Sequence, residues 1–209
     1  MSLRDYLFHE EPGVTVYCGD TRVILSLLDE RLGVIIADPP YGVRVARGDG
    51  RALGRRIEGD DVRFAPGQLL ALGVPLVLFG ANVYADALPP STGWLIWDKT
   101  FPDCAEQSQA ELAWTNFVRG IRVHREAYHG FMRKPDGWHH PAQKPVRLFT
   151  WILGLRWTPP GTLLDPYCGS GPALIAAKDT GRRAIGIEID ARYCAIAVKR
   201  LRQEVLALA

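Results

Sequence analysis

Leu32-Gly33-Val34-Ile35-Ile36-Ala37-Asp38-Pro39-Pro40-Tyr41 is the stretch on which the fold of this 209-residue chain turns. The apolar run from Leu32 to Ile36 has the pattern of a buried strand. An acid, two prolines and an aromatic then end it, because proline has no N–H to give to a ladder. The prolines fix φ and hold the backbone that follows. The Asp38 carboxylate, a proline carbonyl and the Tyr41 ring are thereby gathered at the strand's carboxyl end, where open α/β sheets bind ligands. Two acceptors beside an aromatic plane suit a flat group that carries an amine, and a nucleobase fits that description. Asp-Pro-Pro also serves as plain loop punctuation, and tyrosine as half-buried packing. The rest of the chain has to separate the two.

Length and composition point to one soluble domain spanning residues 1–209. The hydrophobic share of 47% and charged share of 23% are ordinary for such a domain. No apolar run approaches the roughly 18 residues of a membrane helix, so no membrane partner is expected. Met1 to Pro12 has no signal-peptide core, which predicts a cytoplasmic protein. A net charge of +2 is too small to establish a polyanion partner by itself. Cys18, Cys104, Cys168 and Cys194 form no Cys-x-x-Cys pair and read as reduced thiols near the core.

On the N-terminal side of Asp38, Val14 to Cys18 is a short β-branched strand. It ends in Gly19-Asp20, and a helix over Thr21 to Leu28 follows. Asp20 reads either as that helix's N-cap or as a ligand contact at the sheet edge. Beyond Tyr41, residues 42–61 lose the core pattern. Arg44, Arg47, Arg51, Arg55 and Arg56 alternate there with glycines, as in a basic loop placed for phosphate contacts. Val74 to Gly80 is a further buried strand, followed by a short helix over Ala81 to Leu88. Trp94 to Lys99 and Ala110 to Trp114 are two more strands, whose tryptophans read as packing. Segment 115–139 is short, basic and aromatic. Arg122 and Arg125 there are a second candidate nucleic-acid contact. His124 and His129 lack a third ligand at a known spacing, so no metal is expected.

The second half of the site follows. His140-Pro141-Ala142-Gln143-Lys144-Pro145 opens a helix over Val146 to Leu155. A lysine at a helix start opposes the dipole, which suggests an anionic partner, unless it is simply exposed. Thr162 to Leu164 is a strand, and Asp165-Pro166-Tyr167-Cys168-Gly169-Ser170-Gly171 is a glycine-rich turn into the helix Ala173 to Asp179. Glycines let the backbone approach a ligand and leave N–H groups free at a helix start. Arg183 to Glu188 is the next strand. An acid at its end is placed to accept hydrogen bonds from ribose hydroxyls. Asp190 caps the last helix, Ala191 to Leu206.

Four of these segments, in this order, resemble the amino-methyltransferases of DNA. They are Asp38-Pro39-Pro40-Tyr41, the His140 to Pro145 stretch, the Asp165 to Gly171 turn and Gly186-Ile187-Glu188-Ile189-Asp190. With the tetrapeptide ahead of the glycine-rich turn, the order is similar to the permuted class often labelled β. The resemblance implies an α/β fold, a doubly wound, mostly parallel Rossmann-like sheet with an antiparallel edge strand. It implies S-adenosylmethionine as cofactor and DNA as partner. Asp165, Tyr167, Gly169 and Gly171 would hold the methionine portion, Glu188 the ribose hydroxyls, and Asp20 would lie near the adenine. Gln143 and Lys144 would contact the methionine end, where a lysine can meet the carboxylate. Asp38 and the Pro39 carbonyl would accept the target amine, and Tyr41 would stack on a base flipped out of the duplex. A tetrapeptide beginning with Asp is similar to those of adenine N(6) enzymes, while cytosine N(4) enzymes more often begin with Ser. Tyr167 stands where the family usually has Phe.

Segment 115–139 is short for target recognition, which leaves a short site, a dimer or a partner as routes to specificity. An RNA base or protein amide is the nearest rival acceptor. A non-catalytic nucleic-acid-binding protein is a rival of another class. A nicotinamide oxidoreductase leaves Asp38 to Tyr41 unexplained, and the turn departs from G-x-G-x-x-G.

Overall fold

The computed structural model describes residues 1–42, 62–100, 108–127 and 143–203. Arg44, Arg47, Arg51, Arg55, Arg56, His129 and Cys104 lie outside the described residues. In chain order the elements are β1 (Leu7–Glu11), β2 (Val14–Cys18), α1 (Thr21–Leu27), β3 (Leu32–Ala37), α2 (Gly67–Ala71) and β4 (Leu76–Phe79). They continue with β5 (Gly93–Asp98), β6 (Ala110–Thr115), β7 (Ile121–Arg125), α3 (Val146–Gly154), β8 (Thr162–Asp165), α4 (Pro172–Asp179), β9 (Ala184–Glu188) and α5 (Ala191–Leu201).

The strands form one sheet in the order β1-β2-β9-β8-β3-β4-β6-β5-β7. β2, β9, β8, β3 and β4 run parallel. The expected antiparallel edge strand is β1, and β6 adds an antiparallel strand inside the sheet, between β4 and β5. The sheet is wound on both faces, and alternation along β3 shows how. Val34 and Ile36 face one cluster, with Leu148 and Ile152 of α3, Ala173 and Ala177 of α4, and Val198 of α5. Ile35 and Ala37 face the other, with Ile24 of α1 and Leu69 of α2. Covering both faces explains why β3 reads as a continuous apolar run rather than as apolar–polar alternation.

Two expected elements came out differently. The helix predicted over Ala81 to Leu88 is a pair of 3₁₀ turns, Ala81–Val83 and Ala85–Ala87. Tyr84 separates them at φ −132°, ψ 31°, and its buried hydroxyl donates to the Phe79 carbonyl, so the chain leaves the helical path there. The last helix ends at Leu201, and residues 204–209 lie outside the described set.

The topology places the site. From β8 the chain passes through α4 to β9 on one side, while from β3 it proceeds to β4 on the other. The gap between β8 and β3 is therefore the switch point, where the loops part and open a crevice beyond the carboxyl ends of the strands. Asp38 follows β3 directly, and Asp165 ends the neighbouring β8.

Candidate active site

At the end of β3, Tyr41 folds back so that its hydroxyl donates to Asp38 Oδ1. Its ring lies over Gly80, where a built Cβ would come within 2.1–2.4 Å of ring carbons. Gly80 also sits at φ +67°, a conformation that costs a side chain strain. Two independent constraints therefore require glycine under the tyrosine.

Lys144, just before α3, is only 4% exposed. The exposed-lysine alternative is thus corrected: its ammonium reaches back across the crevice and ion-pairs with Asp38 Oδ2. It also lies 3.1 Å from Glu111 Oε2 and 3.4 Å from the Tyr41 hydroxyl oxygen. Glu111, on β6, holds Lys99 with its other oxygen at 2.7 Å. Two carboxylates and two ammonium groups thus form a chain, Asp38–Lys144–Glu111–Lys99, whose formal charge sums to zero. Removing such charges from water is tolerable only when each is paired.

The charges follow from that arrangement. Burial pushes the Asp38 carboxyl above its ordinary value, and Lys144 offsets this in part. Burial also works against the Glu111 carboxylate, but Lys144 and Lys99 outweigh it and bring the group down to about 2. Burial opposes the Lys144 cation as well, and Asp38 and Glu111 outweigh it. The Tyr41 phenol, desolvated and beside Asp38, is held well above its usual value and stays a donor.

Across the switch point the bonding is of another kind. Asp165 is 4% exposed, and its Oδ1 accepts the Tyr167 N–H at 3.1 Å. Burial raises its carboxyl to about 8. Glu188 accepts the Gly169 N–H at one oxygen and the Asp190 N–H at the other, both at 2.9 Å, and so clamps the glycine-rich turn to the end of β9. Its pKa is also raised, with burial the largest cause. Gly171, at φ +78°, N-caps α4, and a Cβ there would lie 2.9 Å from that of Ala197. Gln143 Oε1 accepts the Ser170 hydroxyl at 3.0 Å, and the buried Arg200 of α5 donates to the Ser170 carbonyl at 2.8 Å. Thr21, at the start of α1, donates to the Pro166 carbonyl at 2.5 Å. Asp20 caps α1 by accepting the Arg22 N–H at 2.8 Å, and it pairs with the Arg22 guanidinium.

The fold thus brings Asp38, Tyr41, Gln143, Lys144, Asp165, Tyr167, Gly169, Gly171 and Glu188 to one sheet edge, with Asp20 at the neighbouring end of β2. Arg122 and Arg125 lie apart on the edge strand β7. Arg122 stacks over the Trp157 ring at 4.5 Å, and Arg125 pairs with Asp98 at 3.2 Å. His124 is engaged with Glu126 at 3.0 Å, and no cluster of three metal-ligating side chains exists among the described residues. No described helix is long and apolar enough to cross a membrane. Cys18, Cys168 and Cys194 are free thiols.

Sequence reading missed Glu111, Lys99, Gly80, Ser170, Arg200 and Phe64, whose ring meets that of Tyr167 edge-on at 5.8 Å. One signal was available. Glu111 interrupts the strand Ala110-Glu111-Leu112-Ala113-Trp114, where a charge needs a partner.

Residues 89–199 match the family model described as DNA methylase. A curated relative, the type II methyltransferase M2.DpnII of Streptococcus pneumoniae, is 40% identical over 74 residues, which are 34% of this chain. That match spans 28% of the relative's own length. Among solved structures, the M1.HpyAVI–SAM complex superposes with a TM-score of 0.60 at 22% identity, covering 90% of this chain and all of the other. The cytosine-N4-specific PvuII DNA methyltransferase does so with a TM-score of 0.63 at 12% identity, covering 93% of this chain and 88% of the other. At those identities the likeness is one of fold.

Proposed function

Because the chain belongs to the DNA methylase family, whose model spans residues 89–199, we propose that it transfers the methyl group of S-adenosylmethionine to the exocyclic amine of a DNA base, adenine N(6) by preference. The observation that carries this reading is the meeting of two half-sites across β3 and β8. One is an acceptor-and-ring cluster at Asp38 and Tyr41; the other is the carboxylate-lined turn of Asp165 and Glu188.

The donor set fits the cofactor. A buried carboxyl such as Asp165 is stabilised in its ionised form by a cation, which the amino group of a methionine moiety provides. Glu188 keeps acceptor capacity for hydroxyl donors, because a carboxylate has about four acceptor sites and the backbone N–H groups of Gly169, Asp190 and Ile189 do not fill them all. Gln143 and Lys144 border the same crevice, and Tyr167 adds an aromatic wall. When bound, the cofactor supplies a sulfonium-activated methyl group.

The chain's own residues do the rest. A target base outside the stack exposes its amine at a cost of a few kcal/mol, offset by stacking on Tyr41 and by hydrogen bonds. Asp38 and the Pro39 carbonyl accept the amine's N–H bonds. That localises on nitrogen the lone pair otherwise shared with the ring, and it aims the pair into the crevice. Asp38 must be ionised for this, since only the carboxylate is acceptor at both oxygens. The choice of adenine rests on the aspartate that opens the tetrapeptide. Arg122 and Arg125, with the arginines of segment 42–61, are assigned to the duplex, and a homodimer is one way to enlarge so small a recognition surface.

The test is transfer of labelled methyl from S-adenosylmethionine to unmethylated duplex DNA, followed by nucleoside analysis. N(6)-methyladenine is expected. N(4)-methylcytosine, the product type named for the PvuII enzyme, would keep the chemistry and overturn the base. Label appearing in RNA or protein instead would overturn the substrate.

A further inference from the structure

We propose that Glu111 is a positioning residue that sets how strongly Asp38 accepts the target amine, by holding part of the Lys144 ammonium away from it. The inference rests on the reading of Asp38 as the amine's acceptor, and it extends the site to β6 and to the end of β5.

In the structure, Asp38 Oδ1 takes the Tyr41 hydroxyl and Oδ2 takes Lys144. A carboxylate that is fully occupied by an ammonium is a weak acceptor, so an unshared Lys144 would blunt the group it stabilises. Glu111 divides that ammonium: Lys144 Nζ lies 3.1 Å from Glu111 Oε2. Glu111 can do so as an anion because Lys99 lies 2.7 Å from its Oε1. The three groups come from separate elements: Glu111 from β6, Lys99 from the end of β5 and Lys144 from the turn before α3. Burial of the group is not sufficient reason for it, since an apolar residue on β6 would fill the same space without a charge to balance.

The groups acting on Asp38 are Tyr41 from its own strand end, Lys144 ahead of α3 and Glu111 on β6. Tyr84 behind β4 and Asp165 on β8 are also coupled to it. Lys99 and Lys144 act on Glu111. The two ends of this chain of charges therefore respond with opposite sign. Glu111→Gln removes the competing anion, so Lys144 closes on Asp38 and the carboxyl becomes more acidic. Lys99→Gln frees Glu111 to take more of Lys144, so the Asp38 carboxyl becomes less acidic.

The experiment titrates the Asp38 carboxyl carbon by NMR in the full-length chain labelled at aspartate carboxyls. Its resonance is assigned by its loss in Asp38→Asn. The expected result is a downward displacement of about one pH unit in Glu111→Gln and an upward one in Lys99→Gln. The acid limb of kcat for methyl transfer should move with each titration. The kcat plateau should fall about tenfold in Glu111→Gln while the KM for cofactor stays within about twofold. Displacements of the same sign in both variants, or none, overturn the proposal, because generally loosened packing cannot give opposite signs. If Glu111→Gln does not fold, the sign in Lys99→Gln decides alone: upward supports, downward or unmoved overturns. Opposite displacements in the two variants, with a wild-type chain that methylates no DNA, overturn the proposed function and not the coupling.

Discussion

The two carboxylates that face each other across the switch point, Asp38 and Asp165, are held by opposite means. Asp165 and its neighbour Glu188 are bound by backbone N–H groups, those of Tyr167 and Gly169 in the turn and that of Asp190 just beyond β9. Asp38 is bound by side chains, the Tyr41 hydroxyl and the Lys144 ammonium, and through Lys144 by Glu111 and Lys99. Backbone donors do not titrate, so the glycine-rich half has a fixed shape whose adjustable properties are the charges of Asp165 and Glu188. Side-chain donors can change partner. The half assigned to the base can therefore exchange an internal hydrogen bond for one from an incoming amine, and the half assigned to the cofactor has no such freedom.

Breaking each half separately gives graded outcomes. Asp38→Ala should lower kcat for methyl transfer about 10³-fold. Cofactor affinity, measured by calorimetry, should stay within about threefold, because the backbone-bound half is untouched. Retained turnover would remove Asp38 from its assigned role. Gly80→Ala adds a methyl group where the Tyr41 ring lies and strains a backbone at φ +67°. A displaced ring should reduce kcat/KM for DNA about 10²-fold. Cofactor binding should again be spared, and unchanged single-turnover rates would show that the ring can move without cost.

Asp165→Asn sharpens the other side. Burial raises the folded carboxyl from its ordinary 3.8 to about 8. Between those values the folded chain binds a proton that the unfolded chain has released. Stability contributed by this group therefore falls as pH rises from about 4 to about 8 and is lowest above that. Asparagine has no proton to lose. The variant should melt several degrees above the wild type at pH 8 and close to it at pH 4, while binding the cofactor about tenfold more weakly. Scanning calorimetry at both pH values checks the sign. The smallest change is Tyr167→Phe. It keeps the ring that meets Phe64 and removes only the phenolic hydroxyl, so cofactor affinity should shift less than about twofold.

What could be read in the residues was whatever depends on near neighbours. The run Leu32 to Ile36 had to be a buried strand because its residues are apolar in succession. Asp38-Pro39-Pro40 had to end it, because two consecutive residues lack the donor that a ladder needs. The turn from Asp165 to Gly171 and the acid at Glu188 were visible for the same reason, since their bonds span few residues or link one βαβ unit. The prediction of a helix over Ala81 to Leu88 failed where the burial of Tyr84 in the cluster that holds Ile24, Ile35 and Trp114, with its hydroxyl on the nearby Phe79 carbonyl, outweighed local spacing. Lys144 shows the limit most clearly. Its position before α3 marked it as a cation with an anionic partner, but nothing nearby in sequence names Asp38 or Glu111. Only the sheet order, which sets β6 beside β4 and β4 beside β3, brings those carboxylates to one ammonium. Local chemistry determined the strands, the turns and the two acidic half-sites. The tertiary structure alone decided which charges share them, because pairing energy depends on distance and burial rather than on separation along the chain.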